Sequence, residues 1–107
     1  MAKVYVIQES PGKNLLPAAD YGEVIILLPP DRQVTFSAGA VAQELYGKLS
    51  DFGDDDFLVL VGDPVAIGIA CTCASAWNKG RFKALKWDKQ QARYWPVAVD
   101  IYQGKKV

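Results

Sequence analysis

The 107-residue chain has no histidine, only two cysteines and one methionine, and no excess charge of either sign, with twelve Lys+Arg against twelve Asp+Glu. Without histidine there is no Ser-His-Asp or Cys-His nucleophile arrangement, no ordinary general base at neutral pH, and no histidine-containing zinc site. Two thiols cannot build a four-ligand zinc site or a disulfide framework. Cys71 and Cys73 stand two apart in a segment that reads as helix, where their side chains diverge by about 200°, so they are not expected to bond to each other. They read as small buried hydrophobes in a reducing compartment. Nine Gly and six Pro are too few for collagen-like or low-complexity sequence. Neither a Gly-x-Gly-x-x-Gly fingerprint nor a phosphate-loop lysine motif occurs. The expectation is a non-enzymatic protein with no catalytic residues, cofactor or metal. Residues 1–9 lack the apolar core of a secretory signal, which points to the cytoplasm.

Half of the residues are hydrophobic and 22% are charged. A chain of this size buries roughly 60–70% of its unfolded surface, and 1–107 reads as one domain. Residues 3–8 carry Val4, Tyr5, Val6 and Ile7 and predict a strand. Residues 10–22 form a long connection whose Leu15, Leu16 and Tyr21 should pack onto the body. Residues 23–28 are a continuous apolar run stopped by Pro29-Pro30, which suggests a central strand covered on both faces. Ser37 is the expected N-cap of a helix over 37–49, with Val41, Ala42, Leu45 and Leu49 on one face and Glu44 and Lys48 in the favourable i,i+4 order outside. A buried strand is expected at 57–61, parallel to 23–28. Asp63-Pro64 then opens a second helix that runs to about Trp77 and stops where Gly80 can take a left-handed conformation. This helix is apolar all round, so either its own domain or a partner must cover it.

The tail predicts a hairpin, with strands at 81–87 and 93–102 around a polar loop. Trp87 and Trp95 are candidate cross-strand partners over the second helix, and Pro96 favours an edge position. The reading is an α/β (α+β) single domain: a mixed five-stranded sheet with two helices, in the order β-β-α-β-α-β-β. Residues 57–78 hold a single charge, Asp63, and are long enough to span a bilayer. The turn at Gly62-Asp63-Pro64 and the small polar residues downstream argue against that.

Charge is unevenly distributed. Residues 1–78 hold four Lys/Arg against ten Asp/Glu, a net −6, and residues 79–107 hold eight against two, a net +6. On the hairpin, Arg81, Lys83, Lys86, Lys89 and Arg93 are interleaved with Phe82, Trp87, Tyr94 and Trp95. Of these, Arg81, Lys83, Lys86, Trp87, Lys89, Arg93 and Tyr94 are the candidate contact residues. Cations beside rings suit single-stranded nucleic acid. They equally suit the acidic body of another copy or another protein, or they guard an edge strand. Gly62 and Asp63, at a strand's carboxyl end and a helix N-terminus, are the candidate small-ligand or nucleotide position, although an N-cap alone explains an Asp there. The carboxylates at 51–56 lack the ligand alternation of a calcium loop and read as a solvated turn.

Residues 54–64 (DDDFLVLVGDP), 80–88 (GRFKALKWD) and 93–97 (RYWPV), with 4–9 and 14–17, resemble a set of small bacteriophage and marine environmental proteins. That family brings no activity to transfer. The resemblance implies expression in the cytoplasm of an infected bacterium and action by binding macromolecules. The expectation is therefore an accessory protein that oligomerises or binds another protein through its basic, aromatic hairpin. The alternatives are single-stranded nucleic acid on that hairpin, or a small ligand near Asp63.

Overall fold

The β-branched and aromatic run Lys3–Gln8 forms β1 of a five-stranded sheet in the computed structural model, which describes residues 1–103. A 3₁₀ turn follows at Leu16–Tyr21, then β2 (Glu23–Leu28), α1 (Ala38–Lys48), β3 (Phe57–Val59), α2 (Pro64–Trp77), β4 (Arg81–Asp88) and β5 (Arg93–Asp100). The strand order is β2-β1-β3-β4-β5. The first four strands are parallel and β5 closes the sheet antiparallel to β4. This is the expected mixed α+β sheet and element order. Residues 57–78, checked above for a membrane span, divide into strand, turn and helix. No helix among the described residues is long and apolar enough to cross a membrane.

Alternation along the strands separates two cores. Tyr5, Ile7 and Leu58 face the helix layer, against Val41 and Leu45 of α1 and Ala66, Ala70 and Ala74 of α2. Val4, Val6, Phe57, Val59 and Leu85 face the other way, under Ala18 of the 3₁₀ turn and beside Tyr94 of β5. Leu15 and Tyr21 of the 10–22 connection pack onto this core as expected, with Ala18 buried, whereas Leu16, expected to pack with them, is exposed because it opens the 3₁₀ turn on its solvent side.

Two expectations are corrected. The apolar run of β2 is not central: β2 is an edge strand, with Glu23 and Ile26 exposed. Its lack of alternation reflects the covering of its faces, Ile25 and Leu27 by the helix layer and Val24 by the second core. A strand can be covered on its faces and still lack a neighbour on one side. Ser37 occupies the cap position of α1, but its Oγ donates to Gln33 O at 2.6 Å and makes no cap bond.

The other helix signals are obeyed. Asp63 Oδ1 accepts from Val65 N at 2.8 Å and from Ala66 N at 3.3 Å, with Pro64 behind it. Past the end of α2, Gly80 sits at φ +84, where any Cβ would meet the Tyr102 ring. Glu44 bonds Lys48 at 2.7 Å and Arg32 at 2.6 Å. Cys73 is buried, Cys71 is half-buried, and both are free thiols.

Candidate functional site

In a parallel sheet, ligands collect at the carboxyl ends of strands where neighbouring connections leave in opposite directions. Here that point lies between β1 and β3. The connection from β1 leads out to β2, and the connection from β3 leads the other way to β4. The crevice there is filled by Gln8, the last residue of β1 and one of the few buried polar side chains. Its Nε2 donates to Pro29 O at 3.2 Å and Arg32 O at 3.1 Å, and its Oε1 accepts from Asp63 N at 2.8 Å. Gly62 makes this fit possible. Its φ is +116, and a Cβ there would overlap the Gln8 side chain. The Asp63 carboxylate is committed to the first turn of α2. Gly62 and Asp63 therefore serve Gln8 and the helix start, and neither borders the cleft that opens beside β4.

The opening is displaced by one strand. β3 is only three residues long because the chain turns at its end, Val61 N donating to Val59 O at 3.0 Å. β4 pairs with β3 only at Ala84 and Leu85 and then continues to Asp88. Beyond Leu85, β4 has a ladder partner only on its β5 side. The result is a cleft of about 730 Å³. Residues 59–61 and Gly12, Lys13 and Asn14 border one part of it, and residues 84–87, Lys89, Tyr94, Val97, Val99 and Phe82 border the rest. The wall is mostly apolar, with aliphatic side chains from β3, β4 and β5 joined by the rings of Phe82, Trp87 and Tyr94. Three lysines, Lys13, Lys86 and Lys89, stand on it, and no carboxylate does. None of the three lysines pairs with an acid among the described residues.

The seven hairpin residues singled out from sequence divide into two groups. Lys86, Trp87, Lys89 and Tyr94 border the cleft. The Trp87 and Tyr94 rings pack edge to face at 4.9 Å, and Tyr94 is buried, which pushes its hydroxyl pKa above the ordinary value. Arg81, Lys83 and Arg93 are engaged elsewhere. Arg81 Nε lies 3.1 Å from Asp54 Oδ1, Lys83 Nζ sits 4.3 Å over the Phe57 ring, and the Arg93 guanidinium lies 4.0 Å over the Trp95 ring. Arg81 and then Asn78 hold the Asp54 carboxyl below its usual value. The hairpin does not gather its cations on one face, because alternate strand residues point to opposite sides. For the same reason Trp87 and Trp95 are not partners: Trp87 opposes Tyr94, and Trp95 opposes Lys86 and donates to Asp88. Lys105 and Lys106, counted in the basic tail, lie outside the described residues.

Lys13 and its loop were not singled out from sequence. The available signal was the turn Ser10-Pro11-Gly12 after β1, which places that loop at the carboxyl end of the sheet. Nothing in the sequence said that β4 would stand two strands away from β1. In the acidic segment at 51–56, Asp56 accepts from Lys3 N and Gly53 N, both at 2.9 Å, and Asp54 holds Arg81 and Asn78. These carboxylates hold loops and the helix end in place, and no group of three or more metal-binding side chains forms among the described residues.

Among known proteins, the family model described as "Phage Pam3 gp32-like protein" matches residues 2–101. No curated protein and no solved structure matches the chain.

Proposed function

The chain belongs to the Phage Pam3 gp32-like protein family, and from that premise we propose that it is an accessory binding protein rather than an enzyme. Its partner is an acidic, aliphatic segment of another protein, taken up in the cleft between the Gly12–Asn14 loop and the end of β4. The infected cell's cytoplasm is the proposed setting.

One observation carries this reading: an apolar cleft of about 730 Å³ bears three lysines that pair with no acid among the described residues, and no carboxylate lines it. Apolar walls reward the burial of Leu or Val side chains at roughly 25 cal/mol per Å², and the lysines select for acids beside them. Single-stranded nucleic acid fits less well. It needs successive open ring faces, yet Trp87 is packed against Tyr94 and the Trp95 ring lies under Arg93.

The test is a titration monitored by Trp fluorescence. The probes are a short peptide alternating Asp/Glu with Leu/Val, its lysine-for-acid counterpart, and oligodeoxythymidine. Preferential binding of the acidic peptide, weakened about tenfold by the double change K86E/K89E, supports the proposal. Equal binding of the lysine peptide, or no peptide binding, overturns it. Binding of oligodeoxythymidine alone would put nucleic acid in its place.

A further inference from the structure

Building on the proposed partner cleft, we infer that the acidic segment docks as an added β-strand, its backbone pairing with Trp87 along the edge of β4 that β3 leaves open. The hydrogen-bond phase of the hairpin carries this. Ile101 N donates to Gly80 O at 3.0 Å, and the register that sets Arg81 against Asp100 sets Gly80 against Ile101. In an antiparallel pair, directly opposed residues alternate between bonded and non-bonded, and this register runs without a bulge from Arg81 to Asp88. Phe82–Val99, Ala84–Val97 and Lys86–Trp95 are therefore bonded pairs, while Leu85–Pro96 and Trp87–Tyr94 are not. Pro96, which has no N–H to give, falls at a position where none is needed.

Leu85 and Trp87 thus turn their N–H and C=O groups away from β5, toward the β3 side. Leu85 meets β3 there, opposite Val59. Trp87 meets nothing, because the β3–β4 ladder ends at Leu85 and no backbone bond outside the ladders involves Trp87 among the described residues. A donor and an acceptor on one residue, facing the cleft without a strand beside them, are what an extended chain pairs with. A helix has no such pair to offer along its length, since its backbone bonds close within itself.

The shape of the cleft agrees. Ala84 and Lys86 point to one face of the sheet, Leu85 and Trp87 to the other, yet all four border the same cleft. A cleft that touches both faces of one strand runs along its edge. An added strand lies about 4.8 Å from β4 and sends successive side chains to the two faces. On one face they meet Leu85 and the Trp87 ring, on the other Ala84 and Lys86. Lys13, Lys86 and Lys89 favour a strand that carries acids.

The experiment is amide hydrogen exchange on the full chain with and without the acidic Leu/Val peptide, joined to binding of two copies of that peptide N-methylated at alternate residues in opposite phases. In the free chain, the Trp87 amide should exchange faster than the Lys86 amide, which β5 protects. Saturating peptide should slow Trp87 by at least about tenfold. One phase of methylation should weaken binding about tenfold and the other leave it unchanged, because only alternate amides of a strand face β4. A peptide that binds without slowing Trp87, or that tolerates both phases equally, overturns strand addition and leaves the partner cleft standing. A peptide that does not bind at all overturns both.

Discussion

Gln8 and Asp63, 55 residues apart in the chain, meet at 2.8 Å, the side-chain amide oxygen of one accepting from the backbone N–H of the other. The contact closes the crevice between β1 and β3, where a sheet of this order would otherwise offer a ligand site. The opening appears instead where β4 outruns β3. One glutamine thereby fills the strand–helix junction, and the cleft lies instead along β4.

Replacing Gln8 by Leu should lower stability by about 2–4 kcal/mol, because it leaves Asp63 N and the Arg32 carbonyl without their partner and removes one of the two donors to the Pro29 carbonyl. Gly62→Ala should also destabilise, through positive φ and overlap with the same side chain. Urea unfolding measures both. A loss below about 0.5 kcal/mol for Q8L, the range of an ordinary surface change, would refute this account of the junction.

Asp63→Ala should cost about 1 kcal/mol, the value of an N-cap, and leave acidic-peptide binding unchanged. Peptide affinity that falls along with stability would return the site to the strand–helix junction.

Lys13→Glu and Lys86→Glu should each leave the urea midpoint within the error of a surface substitution, since neither lysine is paired with an acid among the described residues. Each should weaken the acidic peptide while barely affecting a neutral analogue, and raised salt should reproduce the effect in the wild type.

Acidification should weaken the fold through Asp54 and Glu44. Both carboxyls are held below their ordinary values, Asp54 by Arg81 and then Asn78, Glu44 by Lys48 and then Arg32. A depressed folded-state pKa stabilises above the unfolded-state value, about 4, and that contribution disappears as pH falls through the folded-state value. Both pairs are solvent-exposed, so the contribution is small. The double change D54N/E44Q should flatten the acid limb of stability against pH. An unchanged limb would assign acid sensitivity to other groups.

Much of the fold was legible because local chemistry dictated it. The Asp63-Pro64 cap, the Gly80 stop, the Glu44–Lys48 pair and the edge position implied by Pro96 all lie within a few residues of what they determine. Strand order was not legible, since pairing β3 with both β1 and β4 is a long-range choice that leaves no periodic trace. Four of the seven hairpin candidates border the cleft for the same local reason: they cluster near the turn. Arg81, Lys83 and Arg93 were diverted by Asp54, Phe57 and Trp95, which are distant in sequence or unremarkable as charge partners. Lys13 entered the site only because the tertiary arrangement brings the β1 loop toward the end of β4.

The most direct test of the partner cleft is an amide NMR titration of the labelled protein with the acidic Leu/Val peptide. The account predicts shifts concentrated at Leu60, Val61, Lys13 and residues 85–89, with Val97 responding across the strand pair. Shifts confined to the outer face of α1 and α2, or spread evenly over the surface, would contradict it.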